Sequence, residues 1–230
     1  MKNKVEIYII YSNDSHYDEG ENMGSFLMHI GISEIVRKRL NLSIKFIYGS
    51  IMPDLVKMKT GDRIGTHFLK TVVTDKGRQR LPDIDNAISL LKGKMDKEIR
   101  LGYLAHLVED LIWFEKYIPS FAERVENGRM VYLKDNSIHL EEEFSTDIYE
   151  DYTKINSYVI DKYCKEYSDL KLELQSIMTK QEMEFLEKND KIIELEQIET
   201  LSVISKESLD EYIKLTADKV EKIIKELMGE

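Results

Sequence analysis

Residues 102–113 read Gly102-Tyr-Leu-Ala-His106-Leu-Val-Glu-Asp110-Leu-Ile-Trp113, and this stretch sets the expectation for the whole chain. Residues four apart lie on one face of a helix, so His106 and Asp110 can direct an imidazole and a carboxylate at a common point among apolar side chains. We therefore predict a helix from about Lys97 to Tyr117 that carries two metal ligands. A helix salt bridge or a satisfied core histidine is the alternative interpretation.

The rest of the chain repeats apolar residues at three- and four-residue spacing, with only three prolines and eleven glycines between them. This pattern predicts a mostly helical protein. The run Val5–Tyr11 predicts a short N-terminal strand or arm, and Gly49-Ser50 with Pro53-Asp54 predicts a turn between helical segments. The other predicted helices span residues 25–41, 84–91, 145–170, 179–187 and 208–228, the last with Ser208 as its N-cap.

Length and charge indicate how the chain is organised. Its 230 residues suggest one compact domain, which we place at residues 23–230 after an N-terminal extension of residues 1–22. The net charge of −10 argues against general attraction to duplex nucleic acid. Residues 1–140 hold 21 basic and 19 acidic side chains, whereas the acidic helical section after them, residues 141–230, holds 12 and 24. Chemistry on phosphate is therefore expected in the first 140 residues.

The sequence also bears on the compartment. A single cysteine, Cys164, excludes an intrachain disulfide, so a reducing cytoplasm is the expected location. Lys2 and Lys4 precede an apolar run that is too short, and too polar at Glu6, for a secretory signal. No window approaches the roughly 18 apolar residues of a membrane helix, so we expect no integral membrane segment.

Three further motifs accompany the central stretch: Phe26-Leu-Met-His29-Ile-Gly31, Gly49-Ser-Ile-Met-Pro53-Asp54 and Thr66-His67-Phe68. With His106 and Asp110 they give an ordered set that resembles the zinc-dependent phospholipase C family, whose core is shared by the single-strand-specific zinc nucleases. The resemblance covers about residues 23–120. Its most specific parts are the Gly-Ser-Ile-x-Pro-Asp turn and the Gly-Tyr-Leu-x-His-Leu-x-x-Asp helix.

The resemblance implies an all-α, multi-helix, phospholipase C-like domain with a metal site between its helices. It implies that Asp54, His67 and His106 bind one zinc ion, that Asp110 bridges to a second metal, and that His29 binds that second metal. Imidazole and carboxylate are suitable zinc ligands. We accordingly expect one or two zinc ions in the protein.

The chain departs from the family pattern at both ends of the motif set. The family uses the amino group of a mature N-terminal tryptophan as a ligand, whereas here 22 residues precede Met23 and no tryptophan is near. After the His-x-x-x-Asp helix the chain offers only His139 with Glu143, which matches the late His-x-x-x-Glu pair of the family. An exposed histidine in an acidic run is the alternative there, and Asp147 or Asp151 are other candidates for completing the second metal site.

The implied function is hydrolysis of a phosphoester bond, in a small molecule or a lipid headgroup, with Asp54 as general base. A non-catalytic, metal-stabilised binding or scaffolding protein and a hydrolase of nucleotides or small phosphodiesters are the alternatives. Motifs for a nucleophilic serine elbow, a phosphate-binding loop or a dinucleotide site are lacking. Glu109 lies about 100° around the helix from Asp110, so we expect it to point away from the cluster. Five aromatic residues could line a substrate pocket or belong to the core: Tyr48, Phe68, Tyr103, Trp113 and Phe114.

Overall fold

The computed structural model describes residues 24–74, 77–125, 129–195 and 201–229. Within these ranges the protein is mostly helical, as predicted, but it also contains two small antiparallel sheets that an all-α assignment leaves out. The predicted strand or arm at Val5–Tyr11 lies outside the described residues. No helix within the described ranges combines the length and the apolar character needed to cross a bilayer.

The helices of the described ranges follow one another in chain order as α1 Gly24–Leu40, α2 Ile44–Thr60, α3 Arg63–Thr66, α4 Ile84–Leu91, α5 Lys97–Ile112, α6 Ile118–Phe121, α7 Glu141–Tyr163, α8 Tyr167–Gln175, α9 Lys180–Leu195 and α10 Lys206–Met228. A π-helical turn, Trp113–Tyr117, joins α5 to α6. One sheet is the hairpin β1 Leu69–Thr74 and β2 Gly77–Pro82, and the other is formed by β3 Ala122–Val125, β4 Arg129–Tyr132 and β5 Ile138–Leu140.

The core is built around α1, which packs against α2, α7 and α10. Phe26, Ile30 and Val36 of α1 are fully buried, and they join a large apolar cluster that includes Val159 of α7 and Val220 of α10. Burial of this kind is the main driving force of folding. It holds α1 in the centre of the described structure, with His29 facing inwards.

Helices α2 and α5 approach each other through two glycines. A Cβ atom on Gly102 would lie 2.0 Å from the carbonyl oxygen of Phe46, and one on Gly49 would lie 2.1 Å from that of Ile99. Only glycine tolerates these distances, because any side chain would overlap the backbone of the facing helix. The two helices are therefore in backbone contact beside the residues that α2 and α5 contribute to the candidate site.

The predicted turn at residues 49–54 is wrong. Helix α2 continues through Pro53 to Thr60, and its C-cap is Gly61, which adopts a left-handed conformation with φ of 68°. Pro53 lacks a backbone N–H and so removes one helical hydrogen bond, but Ile47, Ile51 and Leu55 are buried on the same helix and hold it together. Local turn propensity is overridden here by packing.

The C-terminal half differs from the prediction in its boundaries. The predicted helix 145–170 is two helices, α7 and α8, which are separated at the buried Cys164. The predicted helix 179–187 extends to Leu195, and the N-cap of α10 is Ser205, whose hydroxyl accepts a hydrogen bond from the Ser208 N–H. Ser208 thus lies in the first turn of α10 and donates its N–H to the cap, so it is not the N-cap that the sequence predicts.

Candidate metal centre

Five residues from separate segments converge between the helices: His29 of α1, Asp54 of α2, His67 directly after α3, and His106 and Asp110 of α5. Each is at most 9% exposed. Their ligand atoms form two overlapping groups, His29 with Asp54 and His106, and His67 with His106 and Asp110, within which all atoms lie within 4.8 Å of one another. The structure thus brings together five of the seven metal ligands that the sequence predicts, all except His139 and Glu143, and we call these five the His/Asp cluster.

The shortest distances inside the cluster are close to those between ligands of one metal ion. Nε2 of His67 lies 3.3 Å from Oδ1 of Asp54, Nε2 of His29 lies 3.5 Å from Oδ1 of Asp110, and Oδ2 of Asp110 lies 3.8 Å and 3.9 Å from Nε2 of His106 and His67. Atoms bound tetrahedrally to zinc at 2.0–2.2 Å lie roughly 3.3–3.6 Å apart. His106 belongs to both groups, and each group alone brings together three ligand atoms for one ion. The second ion that the resemblance implies stays a prediction.

Two of the three imidazoles are fixed from outside the cluster by strong acceptors. His106 Nδ1–H donates to the carbonyl oxygen of Ser50 on α2 at 2.7 Å, and His29 Nδ1 lies 2.6 Å from Oε2 of Glu109 on α5. A backbone carbonyl only accepts, so His106 must carry its proton on Nδ1 and present the lone pair of Nε2 to the cluster. Such an outer contact is what orients a metal-binding histidine.

The third imidazole, His67, is fixed by its chain neighbour. The Thr66 hydroxyl donates to the Asp62 carbonyl oxygen at 2.7 Å, and it lies 2.9 Å from Nδ1 of His67. The hydroxyl therefore accepts from Nδ1–H, which again leaves Nε2 directed at the cluster. The Tyr103 hydroxyl donates to the Thr66 carbonyl oxygen and so ties this segment to α5. All three histidines thus turn the same nitrogen inwards.

When all three imidazoles are neutral, which is the state that metal binding requires, the arrangement lacks a donor at its centre. In the neutral tautomers just described, three Nε2 lone pairs face the carboxylate oxygens of Asp54 and Asp110, and acceptors placed together repel each other. His106 Nε2 is completely buried and has no hydrogen-bond partner in the described structure. A buried polar atom of this kind requires an explanation such as an ion. A cation bound by Nε2 atoms and carboxylate oxygens satisfies every member of the set.

The pKa values of two members of the cluster follow from burial and from neighbouring charges. Burial lowers the pKa of His106 to about 3, and the neighbouring His29 adds to that shift, so His106 is neutral. Burial opposes ionisation of Asp54, but the contact with His67 and the charges of the surrounding histidines hold the pKa of that carboxyl well below its usual range. The cluster therefore offers a cation both a neutral imidazole and an ionised carboxylate.

Glu109 belongs to neither ligand group, as its position on the helix predicts, but its carboxylate does contact the cluster from the outside through His29. It is fully buried between α1 and α5, where it also accepts a hydrogen bond from Ser33 at 3.4 Å. Burial lowers the pKa of His29, yet the hydrogen bond and charge of Glu109 outweigh it and raise that pKa to about 9. Burial in turn raises the pKa of Glu109 to about 7. Glu109 therefore stabilises positive charge at His29.

His139 and Glu143 belong to neither of the two ligand groups. His139 lies on β5, where Nε2 is 2.7 Å from the Ser137 hydroxyl and the ring stacks on Tyr132 with centroids 3.9 Å apart. Glu143 accepts a hydrogen bond from the Leu140 N–H at 2.8 Å and lies 3.8 Å from His139 Nδ1. The geometry indicates that this pair joins β5 to the first turn of α7, which is a structural role.

The two aspartates proposed as substitutes are also occupied elsewhere. Asp147 accepts a hydrogen bond from the Tyr132 hydroxyl at 2.6 Å. Asp151 is completely buried and accepts backbone N–H groups from Ser202, Val203 and Ile204 at 2.6–2.7 Å. Asp151 therefore anchors the segment before α10, and neither residue is found in the ligand groups of the described structure.

The outer contacts were not predictable from the sequence, because two of them have no distinctive residue type. The Ser50 carbonyl oxygen could be contributed by any residue, and a threonine beside a histidine is common. Glu109 did carry a signal, since a carboxylate within an apolar stretch needs a buried partner. The case for a metal centre rests on this geometry, because no protein-family model, curated protein or solved structure matches the chain.

Proposed function

We propose that this protein is a metal-dependent hydrolase of phosphoester bonds and that the His/Asp cluster holds zinc or a similar transition ion. The observation that carries the proposal is the inward orientation of three imidazole Nε2 atoms towards two carboxylates, with His106 Nε2 left without a partner in the described structure. Mixed nitrogen and oxygen ligands of this kind suit zinc and its neighbours in the first transition row.

The ligand types favour catalysis over a purely structural ion. Structural zinc sites are closed and are mostly built with cysteine, whereas the single cysteine of this chain, Cys164, is not part of the cluster. The three histidine side chains are at most 3% exposed, but those of Asp54 and Asp110 are 11% and 12% exposed. Solvent and substrate thus approach from the carboxylate side.

The residues divide the work of hydrolysis among themselves. When bound, the ion supplies Lewis-acid chemistry, which activates water and offsets charge on phosphoryl oxygens. Asp54 stays ionised because of the surrounding histidines, so it can accept the proton that water gives up when it attacks phosphorus. His29, His67 and His106 hold their orientation through Glu109, Thr66 and Ser50, which keeps the centre preorganised.

The test combines metal analysis with a phosphodiesterase and phosphomonoesterase screen. Protein purified without added metal should carry about one or two equivalents of zinc or a similar ion, bound most tightly at a mixed imidazole and carboxylate site. His106→Ala should lose both metal and hydrolysis, and His139→Ala, a histidine outside the cluster, should keep both.

The proposal would be refuted if the protein contained no metal and its stability did not change on addition of zinc or of a chelator. Retention of metal without hydrolysis of any phosphoester would favour the alternative of a metal-stabilised binding or scaffolding protein. The pattern of cleaved compounds would separate lipid headgroups from nucleotides and other small phosphodiesters.

A further inference from the structure

Arg63, the first residue of α3, has a guanidinium whose N–H groups make no hydrogen bond within the described structure. It is half-buried, and its guanidinium lies over the Phe114 ring at 5.8 Å from the centroid. In the part of the chain that the structure describes, this guanidinium has no hydrogen bond and no carboxylate at ion-pair distance. Arg37, Arg39 and Arg124, by contrast, each pair with an acidic side chain. A half-buried arginine with unused donors is suited to an anionic ligand.

Two neighbours place Arg63 near the cluster. Arg63 begins the short helix α3, and His67 follows one helical turn later and caps that helix. Phe114, over which the guanidinium lies, comes one helical turn after Asp110. Burial opposes the positive charge of Arg63, whereas Tyr149, Asp110 and Asp54 favour it and raise its pKa.

Phe114, which contacts Arg63, also lines a cavity of about 310 Å³. Apolar side chains such as Leu81, Ile118 and Phe144 line the cavity together with charged residues, which are Arg80, Glu123, Arg124 and Glu141. The volume is at the lower end of the range for small-molecule sites.

We propose that Arg63 binds the phosphoryl group of the substrate, holding it against the His/Asp cluster. This proposal rests on the function proposed above and names the residue that positions the substrate. A guanidinium presents five N–H donors in one plane and matches two phosphoryl oxygens at once, which an ammonium group cannot do. The contact with the Phe114 ring, 5.8 Å from the guanidinium carbon to the centroid, uses none of these N–H donors. Loss of the contact removes a binding interaction and leaves the metal ligands in place.

The test measures phosphate binding directly, so that it does not depend on turnover. Zinc-loaded wild-type protein, Arg63→Gln and Arg63→Lys are titrated with inorganic phosphate by calorimetry, and then with glycerophosphocholine, a phosphodiester headgroup without acyl chains. Circular dichroism and zinc content confirm that each variant is folded and loaded. The matched control is Arg39→Gln, which removes the same charge from a surface ion pair with Asp218 and Glu221.

Arg63→Gln should weaken phosphate binding by about 10-fold or more, since a charge-assisted bidentate contact is lost, and Arg63→Lys should recover only part of it. Arg39→Gln should bind like the wild type. Weakening for both titrants supports recognition of the shared phosphoryl group, and weakening for glycerophosphocholine alone supports recognition of a diester headgroup. Equal affinities of Arg63→Gln and wild type for both, or no phosphate binding by the wild type, would overturn the proposal.

The outcome for Arg63 is separable from that for the function. If phosphate binding depends on Arg63 but the protein hydrolyses no phosphoester, the role of Arg63 in binding is supported and only the proposed hydrolase activity is refuted. If Arg63→Gln hydrolyses a phosphoester with an unchanged KM and unchanged inhibition by phosphate, the role of Arg63 is refuted and the proposed hydrolase activity is supported.

Discussion

The outer contact of His29 provides the most informative perturbation. Glu109→Gln keeps the size and shape of the side chain and retains an acceptor oxygen for His29 Nδ1–H, but it removes the negative charge. The Ser33 hydroxyl, which donates to the other carboxylate oxygen, can rotate to accept from the new amide. The substitution therefore changes the strength of one contact while it preserves packing.

The magnitude follows from the geometry of that contact. At 2.6 Å between fully buried groups, the bond is in the short, charge-assisted class, which is roughly twice as strong as a neutral hydrogen bond. Removing an outer partner of a metal-binding histidine typically lowers metal affinity about 10- to 100-fold. Because glutamine still accepts, we expect the lower part of this range, roughly 10- to 30-fold, or about 1.4–2 kcal/mol.

The assay is a competition of zinc between the protein and a chelating indicator, with a thermal melt of the metal-free protein beside it. The melt should show little loss of stability, because the substitution also removes a buried charge. The matched control is Glu34→Gln, another buried glutamate, whose carboxylate pairs with Arg37 and not with the cluster. Zinc affinity that is the same in Glu109→Gln, Glu34→Gln and wild type would refute the role of Glu109.

Three further predictions concern single residues. Asp110→Asn removes a carboxylate charge facing three imidazoles, so zinc affinity measured by the same competition should fall by roughly 100-fold or more, beyond the effect of an outer partner. Gly102→Ala places a methyl group against the Phe46 carbonyl oxygen and should lower the free energy of unfolding by about 2–4 kcal/mol in urea titrations; an unchanged value would contradict backbone contact between α2 and α5. Burial opposes ionisation of Asp210, but the ion pair with Lys162 and hydrogen bonds from two tyrosine hydroxyls lower the pKa of its carboxyl. Its contribution to stability is therefore present above the unfolded pKa of about 3.9 and is lost as the pH falls through the folded pKa. Asp210→Asn should therefore cost about 1–2 kcal/mol at pH 7 and progressively less below pH of about 4, whereas a pH-independent difference would contradict this assignment.

Helical periodicity made the centre of the site predictable. His106 and Asp110 are separated by one helical turn, and a helix whose other positions are apolar must direct such a pair into the protein. The other members of the cluster, His29, Asp54 and His67, were singled out by the resemblance to the zinc-dependent phospholipase C family. Their convergence depends on the packing of separate helices, which no local pattern in this sequence encodes.

Glu109 shows why the prediction was incomplete for the residue next to Asp110. A side chain about 100° around the helix from Asp110 does not face the cluster, and on a surface helix it would point into solvent. Helix α5 is buried on all sides from Leu101 to Asp110, so this direction leads instead to α1 and His29. The direction of a side chain on a buried helix depends on its neighbours, which the sequence pattern does not specify.

The wrong turn prediction in α2 has the same origin in contacts between distant residues. Pro53 and Gly49 have the composition of a turn, yet Gly49 serves close packing against Ile99, and the buried face of α2 keeps Pro53 within the helix. The strands were missed for a different reason: they pair with their immediate neighbours in segments of three to six residues, which is too little for alternation to be informative. Helices with long apolar stripes were predictable because their signal is spread over many residues.

The Ser50 carbonyl oxygen has a consequence for how this site responds to mutation. Glu109 and Thr66 can be lost by a single nucleotide change, but a main-chain oxygen remains whatever residue occupies position 50. Only a change that moves the helix can withdraw it from His106, and the residues that set the separation of the two helices are Gly49 and Gly102. Inactivating substitutions that act through this imidazole should therefore concentrate at two positions with no functional group at all, and a saturation screen scored for metal content would find them intolerant of every side chain.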